Sequence, residues 1–160
     1  MSVIIDGTAG ITSPYLNTTS NFSYIRLNTV SKASTNTAVL SYATTVESGG
    51  SDITYARSTT NGDTFTINTT GIYCFSGSAT FGSSNSLVIT LNSSQLSTNT
   101  GSLTLSTVLA SQTCPTGGGN AVGTSWCGYL AAGSVIRFQT DTSASVSNTV
   151  PSVAEAVRVA

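Results

Sequence analysis

Residues 62–77 read Gly-Asp-Thr-Phe-Thr-Ile-Asn-Thr-Thr-Gly-Ile-Tyr-Cys-Phe-Ser-Gly, and this stretch decides the fold class of the chain. Phe65 and Ile67 alternate with threonines, which places both on one face of a strand. A turn follows, and residues 71–81 make a second strand rich in apolar residues. The Asn61-Gly62 pair at the start of the stretch is among the strongest short-range signals of a tight turn. The sequence therefore predicts paired, half-buried β-strands here.

Short alternating segments of the same kind continue on both sides of this pair, and no segment keeps a helical period over three turns. The predicted strands and connections span residues 21–30, 38–46, 52–56, 64–68, 71–81, 86–91, 103–110, 121–130, 135–140 and 152–160. About eight to ten short strands in one domain indicate an all-β, two-sheet sandwich of jelly-roll type. We assign residues 21–160 to this sandwich.

The first twenty residues differ from the rest, because Asp6-Gly7 and Ser13-Pro14 are turn-forming pairs rather than parts of a strand pattern. We predict that residues 1–20 form an extended N-terminal arm that packs on a neighbouring subunit or docking platform. The residues expected to dock are Ile4, Ile5, Asp6, Ile11, Pro14 and Tyr15.

Charge is scarce, at 7% of the residues against about 25% in an average soluble domain. Disorder is disfavoured, since the net charge is −1, Pro is rare and 39% of the residues are hydrophobic. Five scattered basic residues cannot line a nucleic-acid site, and no apolar run is long enough to span a membrane. The N-terminus lacks a basic region followed by an apolar one, so we expect no secretory signal.

Catalysis is disfavoured by residue type. The chain has no histidine, so a Ser-His-Asp or Cys-His arrangement has no base, and Lys32 is the single lysine. None of the six carboxylates lies in a motif, and Asp63 after Asn-Gly is expected to serve its turn. We predict no enzyme, no catalytic residue, no cofactor and no ordinary zinc site. One alternative stays open: Glu47 and Asp52 flank Gly49-Gly50 and could bind Ca²⁺ with backbone carbonyls.

Cysteine is present at three positions, an odd number without metal-finger spacing. Cys74, Cys114 and Cys127 are interpreted as small hydrophobic residues in a chain made in a reducing cytosol. The alternative is a Cys114–Cys127 bridge that clips the glycine-rich segment 115–120, which is otherwise expected to be a surface loop.

Beyond these patterns, residues 62–77 resemble the central signature of C1q/TNF-like jelly rolls, in which a Phe-bearing strand precedes a Gly-Ile/Leu-Tyr-x-Phe strand. Residues 87–92 and 126–138 resemble later strands of that family, with Ser134 where the family usually has Asp. Residues 4–14, Ile-Ile-Asp-Gly-Thr-Ala-Gly-Ile-Thr-Ser-Pro, resemble the N-terminal segments of many bacteriophage virion proteins.

Together the resemblances imply a structural virion protein, a trimeric capsid decoration (cement) protein that stabilises the head. The alternative is the receptor-binding knob of a tail or head fibre that recognises host surface polysaccharide. The expected partners are two further copies of the chain and the major capsid protein or another virion protein, with a host glycan as the alternative ligand. The expected location is the virion surface, after assembly in the bacterial cytoplasm.

The family's trimers are lined by apolar and aromatic residues along the threefold axis. The aromatic candidates for the trimer interface or the core are Phe65, Tyr73, Phe75, Phe81, Trp126, Tyr129 and Phe138. A sugar-stacking platform built on Trp126 and Tyr129 is the less favoured interpretation.

Overall fold

A computed structural model describes residues 23–115, 120–147 and 152–159, together with the backbone of 4–6 and 10–12. The strands are β1 (Ile4–Asp6), β2 (Gly10–Thr12), β3 (Tyr24–Lys32), β4 (Leu40–Gly49), β5 (Ile53–Ala56), β6 (Thr64–Ile67), β7 (Gly71–Phe81), β8 (Ser86–Leu91), β9 (Val108–Thr113), β10 (Asn120–Leu130), β11 (Val135–Gln139), β12 (Val146–Ser147) and β13 (Val153–Arg158). Within these ranges no helix is long and apolar enough to cross a bilayer.

Two antiparallel sheets face each other and confirm the predicted all-β sandwich. The first sheet has the order β10-β7-β13-β3-β4, with β12 also paired to β7, and the second has the order β5-β6-β11-β8-β9. Strands distant in the chain lie side by side in both sheets, as the jelly-roll connections require.

The N-terminal segment contributes a separate two-stranded sheet, because β1 pairs antiparallel with β2 from Ile4↔Thr12 to Asp6↔Gly10. Part of the predicted arm therefore folds back on itself at the level of the backbone. Pro14 and Tyr15 lie outside the described residues. Docking by the arm stays a prediction.

The core between the sheets is built around aromatic rings. Phe65 is fully buried and lies 5.8 Å, centroid to centroid, from both Phe75 and Phe138, each in edge-to-face geometry. A Cβ atom on Gly77 would lie 2.4 Å from the Phe138 ring, so the absence of a side chain at position 77 makes room for that ring. The inward residues of the 62–77 stretch thus meet partners from both sheets.

The predicted strand over residues 103–110 is wrong in its first half. Leu105–Thr107 forms a 3-10 turn, and β9 begins only at Val108 and continues to Thr113. Leu103 and Leu105 mimic strand alternation, yet Leu103 is buried whereas Leu105 is 87% exposed. The conformation of this segment is therefore determined by tertiary contacts and not by its local alternation of apolar residues.

The segment 92–107 lies across the outer face of the second sheet. Arg137 Nη1 donates to Ser93 O (3.3 Å) and Gln139 Nε2 to Gln95 O (2.9 Å), both from the outward side of β11. Both faces of β8 are consequently buried, including the outward Val88 and Thr90. The chain thus covers this sheet face with its own residues.

Asp63 serves the turn that the Asn-Gly signal predicts. Gly62 has φ +81°, and the buried Asp63 carboxylate accepts hydrogen bonds from Tyr42 N–H (2.6 Å), Ser58 N–H (2.9 Å) and the Tyr55 hydroxyl. Burial and the bond to this carboxylate raise the pKa of the Tyr55 hydroxyl. This carboxylate is therefore fully engaged in holding β4 and β5 to the turn.

Candidate functional site

The outer face of the first sheet contrasts with that of the second, because no described segment comparable to 92–107 lies over it. We call the outward side chains of β10, β7, β13 and β3, with Val159 beyond β13, the open face. Four large apolar side chains on it are exposed: Tyr24 (40%), Ile72 (43%), Val159 (55%) and Tyr129 (68%). Contiguous exposed apolar surface of this kind marks interaction sites more often than free solvent-facing surface.

Strand register groups these apolar residues at one end of the open face. Tyr129 lies opposite Ile72, and the Val159 N–H donates to Ile72 O (2.8 Å), which places Val159 beside the same pair. The next row across the strands is Cys127, Cys74, Val157 and Tyr24. The apolar end therefore spans four strands.

The Tyr24 ring extends this end toward the last strand of the sheet. A Cβ atom on Gly49 would lie 2.7 Å from Tyr24 Cε1, so the ring rests on the backbone of β4 at that glycine. An aromatic ring held in this way presents a large surface while losing little conformational freedom when a partner binds.

The other end of the open face is polar. The row after the apolar ones contains Ser125, Ser76, Glu155, Arg26 and Glu47. Arg26 Nε lies 3.2 Å from Glu155 Oε1, and both side chains are half exposed, so the pair contributes little to stability in the free chain. A groove of about 410 Å³ lies where the apolar and polar ends meet.

A disulfide lies in the middle of the apolar end and corrects the prediction for the cysteines. Cys74 on β7 and Cys127 on β10 are directly opposite in register, with Cα atoms 4.1 Å apart, and are bonded. Cys114 is the buried free cysteine, so the anticipated Cys114–Cys127 alternative is also wrong. Register brings together two cysteines that are 53 residues apart in the chain.

Strand β10 forms an edge of the first sheet, with β9 of the second sheet close to part of it, and it has none of the usual sequence features that protect edge strands. No charged residue occurs between Asp63 and Arg137, so β7, β8, β9 and β10 carry no charge. Proteins usually protect edge strands with lysine, proline, bulges or short length, and β10 has none of these over 11 residues in unbroken register. The opposite edge, β4, contains Glu47 and pairs with a register shift. The uncharged edge borders the apolar end of the open face.

The predicted aromatic residues separate into two groups. Five are buried in the core between the sheets: Phe65, Tyr73, Phe75, Phe81 and Phe138. Trp126 packs against this core from β10, whereas Tyr129 alone of the seven lies on the open face. Sequence reasoning missed Tyr24, Ile72, Val157 and Val159. Period-two alternation separates the two faces of a strand, but it does not reveal which outer face the chain leaves uncovered.

The alternative of a Ca²⁺ site on Glu47 and Asp52 is not supported, because Asp52 is engaged by other side chains. Asp52 Oδ2 lies 3.1 Å from Arg158 Nη1 and accepts a hydrogen bond from Ser23 Oγ (2.9 Å). Glu47 lies instead beside the groove of the open face. Nowhere in the described ranges do three or more Cys, Asp or Glu side chains gather as a metal site would require.

Asp52 is expected to make stability depend on acid pH. A hydrogen bond from Thr69, then bonds from Ser23 and Arg158, lower the pKa of Asp52 below its ordinary 3.8. Its contribution is therefore complete above about pH 5 and is lost as the pH falls through the lowered pKa. We expect Asp52→Asn to cost about 1–3 kcal/mol in urea unfolding at neutral pH, and we expect the cost to shrink steadily as the pH falls below the ordinary pKa of an aspartate. Glu155→Gln, in the half-exposed pair, should cost less than about 1 kcal/mol throughout; equal costs for the two variants would contradict this assignment.

Comparison with known proteins shows the fold. No protein-family model matches the chain, and no curated protein sequence matches it. Among solved structures, murine APRIL at pH 8.5 is 16% identical with a TM-score of 0.59, and the match covers 86% of this chain and 99% of that one. Murine APRIL at pH 5.0 is 15% identical with the same coverage and a TM-score of 0.60.

A second kind of neighbour has the same architecture. The globular domain of the zebrafish complement 1qA protein is 13% identical, with a TM-score of 0.53 and coverage of 87% of this chain and 96% of that one. At these identities the likeness concerns the fold and nothing finer. The chain has the C1q/TNF-like jelly-roll fold, as the resemblance of residues 62–77 implied.

Proposed function

We propose that this protein is a homotrimeric structural component of a bacteriophage virion, a decoration (cement) protein that stabilises the head. The observation that carries the proposal is the uncovered apolar end of the open face next to the uncharged edge strand β10. The phage context rests on the resemblance of residues 4–14 to virion N-termini, and the trimer on the usual assembly of C1q/TNF-like proteins. A structural or binding role also agrees with the absence of histidine from the chain.

The uncharged β10 edge and the apolar end of the open face both lack charged side chains, so the first of them can pack on the second in a neighbouring copy. When the β10 edge of one copy packs on the apolar end of the next, each copy uses two different surfaces, and such a head-to-tail contact gives a closed trimer when successive copies are related by a rotation of about 120°. The contact would bury the side chains of Tyr129, Ile72 and Val159, which are exposed in the single chain. The half-exposed Arg26–Glu155 pair would lie toward the polar rim of the interface. The shortage of charge means that few ions need to be desolvated in forming the ring.

The trimer is tested by solution mass. We expect light scattering to give three times the chain mass for the wild type. The double variant Ile72→Lys/Val159→Lys should be monomeric, with association at least about 100-fold weaker, because two charges would be buried without partners. Leu105→Lys is the matched control, since Leu105 is equally apolar and more exposed but lies on the segment that covers the other sheet. A monomeric wild type, or a trimeric double variant, would contradict the proposal.

The role on the virion is tested by removing residues 1–20. We expect the truncated protein to remain a folded trimer but to lose binding to capsids, because the arm is proposed to reach across the lattice and add contacts by multivalency. Co-sedimentation with undecorated heads measures this, with the full-length chain as the control. Full binding by the truncated protein would refute the arm's role. Hundreds of copies per virion on a denaturing gel would support decoration, and tens would support a fibre.

A fibre knob that binds host polysaccharide is the second candidate, favoured by one observation. A groove of about 660 Å³ between β9 and the β10–β7 surface is lined by hydroxyl and amide side chains: Ser76, Ser78, Ser111, Gln112, Thr124 and Ser125. Such groups can hydrogen-bond sugars, although no aromatic ring lines the groove for stacking. Saccharide binding that Gln112→Ala abolishes, together with a low copy number, would favour this candidate over decoration.

A further inference from the structure

The Cys74–Cys127 disulfide lies on the open face, within the surface that we propose forms the trimer contact. Cys127 is exposed and Cys74 half buried in the single chain, so reagents in solution can reach the bond. Both sulfur-bearing residues line the groove of about 410 Å³, and their row continues into Val157 and Tyr24 of the apolar end. The bond therefore lies within the surface proposed to be covered in the trimer.

We propose that the Cys74–Cys127 disulfide is a redox lock on the assembly: reductants reach it in the free chain, and association of three copies shields it. This inference rests on the proposed trimer. Shielding follows from position alone, because a partner packed on Ile72, Tyr129 and Val157 must also cover the row that contains both cysteines. The assembled protein then keeps the disulfide under conditions that reduce the free chain.

The lock also acts on assembly itself. The disulfide ties the edge strand β10 to β7 at their eighth paired position from Asn120↔Phe81, where both strands are still in register. Without the bond, β10 is held by its inward side chains, among them Val122, Trp126 and Leu130, and by backbone hydrogen bonds to a single neighbouring strand. An edge strand held in this way opens locally more easily than a central strand. Because the apolar end includes side chains from both strands, an opened β10 no longer presents the complete surface. By linkage, the oxidised chain associates more tightly than the reduced chain.

The exchange chemistry needs only a dithiol reductant, such as dithiothreitol. A thiolate of the dithiol attacks the exposed Cys127 sulfur, the S–S bond breaks, and Cys74 leaves as a thiolate that takes up a proton. The second thiolate of the reagent then attacks the reagent's own sulfur in the mixed disulfide, the one bonded to Cys127 Sγ. This releases Cys127 as a thiolate and leaves the reagent as a cyclic disulfide, so two electrons and two protons pass to the protein.

The experiment compares reduction rates in assembled and dissociated protein. Full-length wild type and the Ile72→Lys/Val159→Lys variant are treated with dithiothreitol, and released thiols are alkylated and identified by mass spectrometry. Each rate is divided by the rate for the same protein unfolded in guanidinium chloride, which removes the effect of the added lysines on thiol chemistry. Buried Cys114 is an internal control, because its alkylation reports any unfolding during the assay.

We expect the normalised rate to be at least tenfold lower in the wild-type trimer than in the variant. A trimer whose disulfide is reduced as fast as that of the monomeric variant would overturn the lock and leave the trimer intact. A wild type that is monomeric throughout would overturn both, since nothing would then cover the bond. As a second measurement, the reduced wild type should dissociate at a protein concentration at least tenfold higher than the oxidised protein, and equal dissociation would overturn the coupling.

Discussion

Replacing the disulfide-bonded pair by serines, Cys74→Ser/Cys127→Ser, is expected to lower the free energy of unfolding by about 4 kcal/mol. The bond joins residues 53 apart, so in the unfolded chain it closes a long loop that contains β8, β9 and the covering segment. Closing a loop of that length removes much of the conformational freedom of the unfolded state. The loss should be measured by guanidinium unfolding of the chain at a concentration that keeps its oligomeric state constant.

The control for this prediction is the reductant. Wild-type protein should lose nearly the same stability when dithiothreitol is added, whereas the double serine variant should not respond to it. Cys114→Ala should retain the response, because Cys114 takes no part in the bond. An unfolding midpoint of the wild type that is insensitive to reductant would contradict the prediction.

Phe65→Ala is expected to lower the free energy of unfolding by about 3–5 kcal/mol. The ring is fully buried between the sheets and contacts the rings of Tyr55, Phe75 and Phe138 at centroid distances of 5.2 Å, 5.8 Å and 5.8 Å. These neighbours come from three other strands in both sheets, so they cannot all move into the space that the ring leaves. The variant should therefore lose both the transfer energy of the ring and the contacts around the cavity.

Urea unfolding of Phe65→Ala measures the cost, with Val46→Ala as the control. Val46 is an exposed residue of β4, and its truncation should change stability by less than about 0.5 kcal/mol. A Phe65→Ala variant within 1 kcal/mol of the wild type would mean that the aromatic cluster does not organise the core.

Local pattern predicted most of the strands but not what covers them. The alternation at Phe65 and Ile67, the Asn-Gly turn and the long run to Phe81 appear in the structure as β6, its turn and β7. The same rule failed at Leu103 and Leu105, because a segment that lies across another sheet can bury one leucine and expose the next without being a strand. Burial there depends on Ser93 and Gln95 meeting β11, a contact between distant parts of the chain.

The candidate site was less predictable than the fold. Seven aromatic residues were candidates for the core or the trimer interface, and only Tyr129 lies on the open face. Ile72 is distinguishable from its buried neighbour Tyr73 only when the two faces of β7 have been assigned. The sequence predicted three unpaired cysteines, with a Cys114–Cys127 bridge as the alternative, and both are wrong, because register between β7 and β10 decides which sulfur atoms meet.

The sequence by itself determined the all-β class, the turn at Gly62-Asp63 and the absence of histidine. These properties follow from residue type and short-range period, which act over a few neighbouring residues. Only the tertiary structure decided the Cys74–Cys127 bond, the identity of the open face and the place of the uncharged edge beside it. The physical reason is that sheet order and register bring together residues that are far apart in the chain. A local sequence pattern does not specify which distant strands become neighbours.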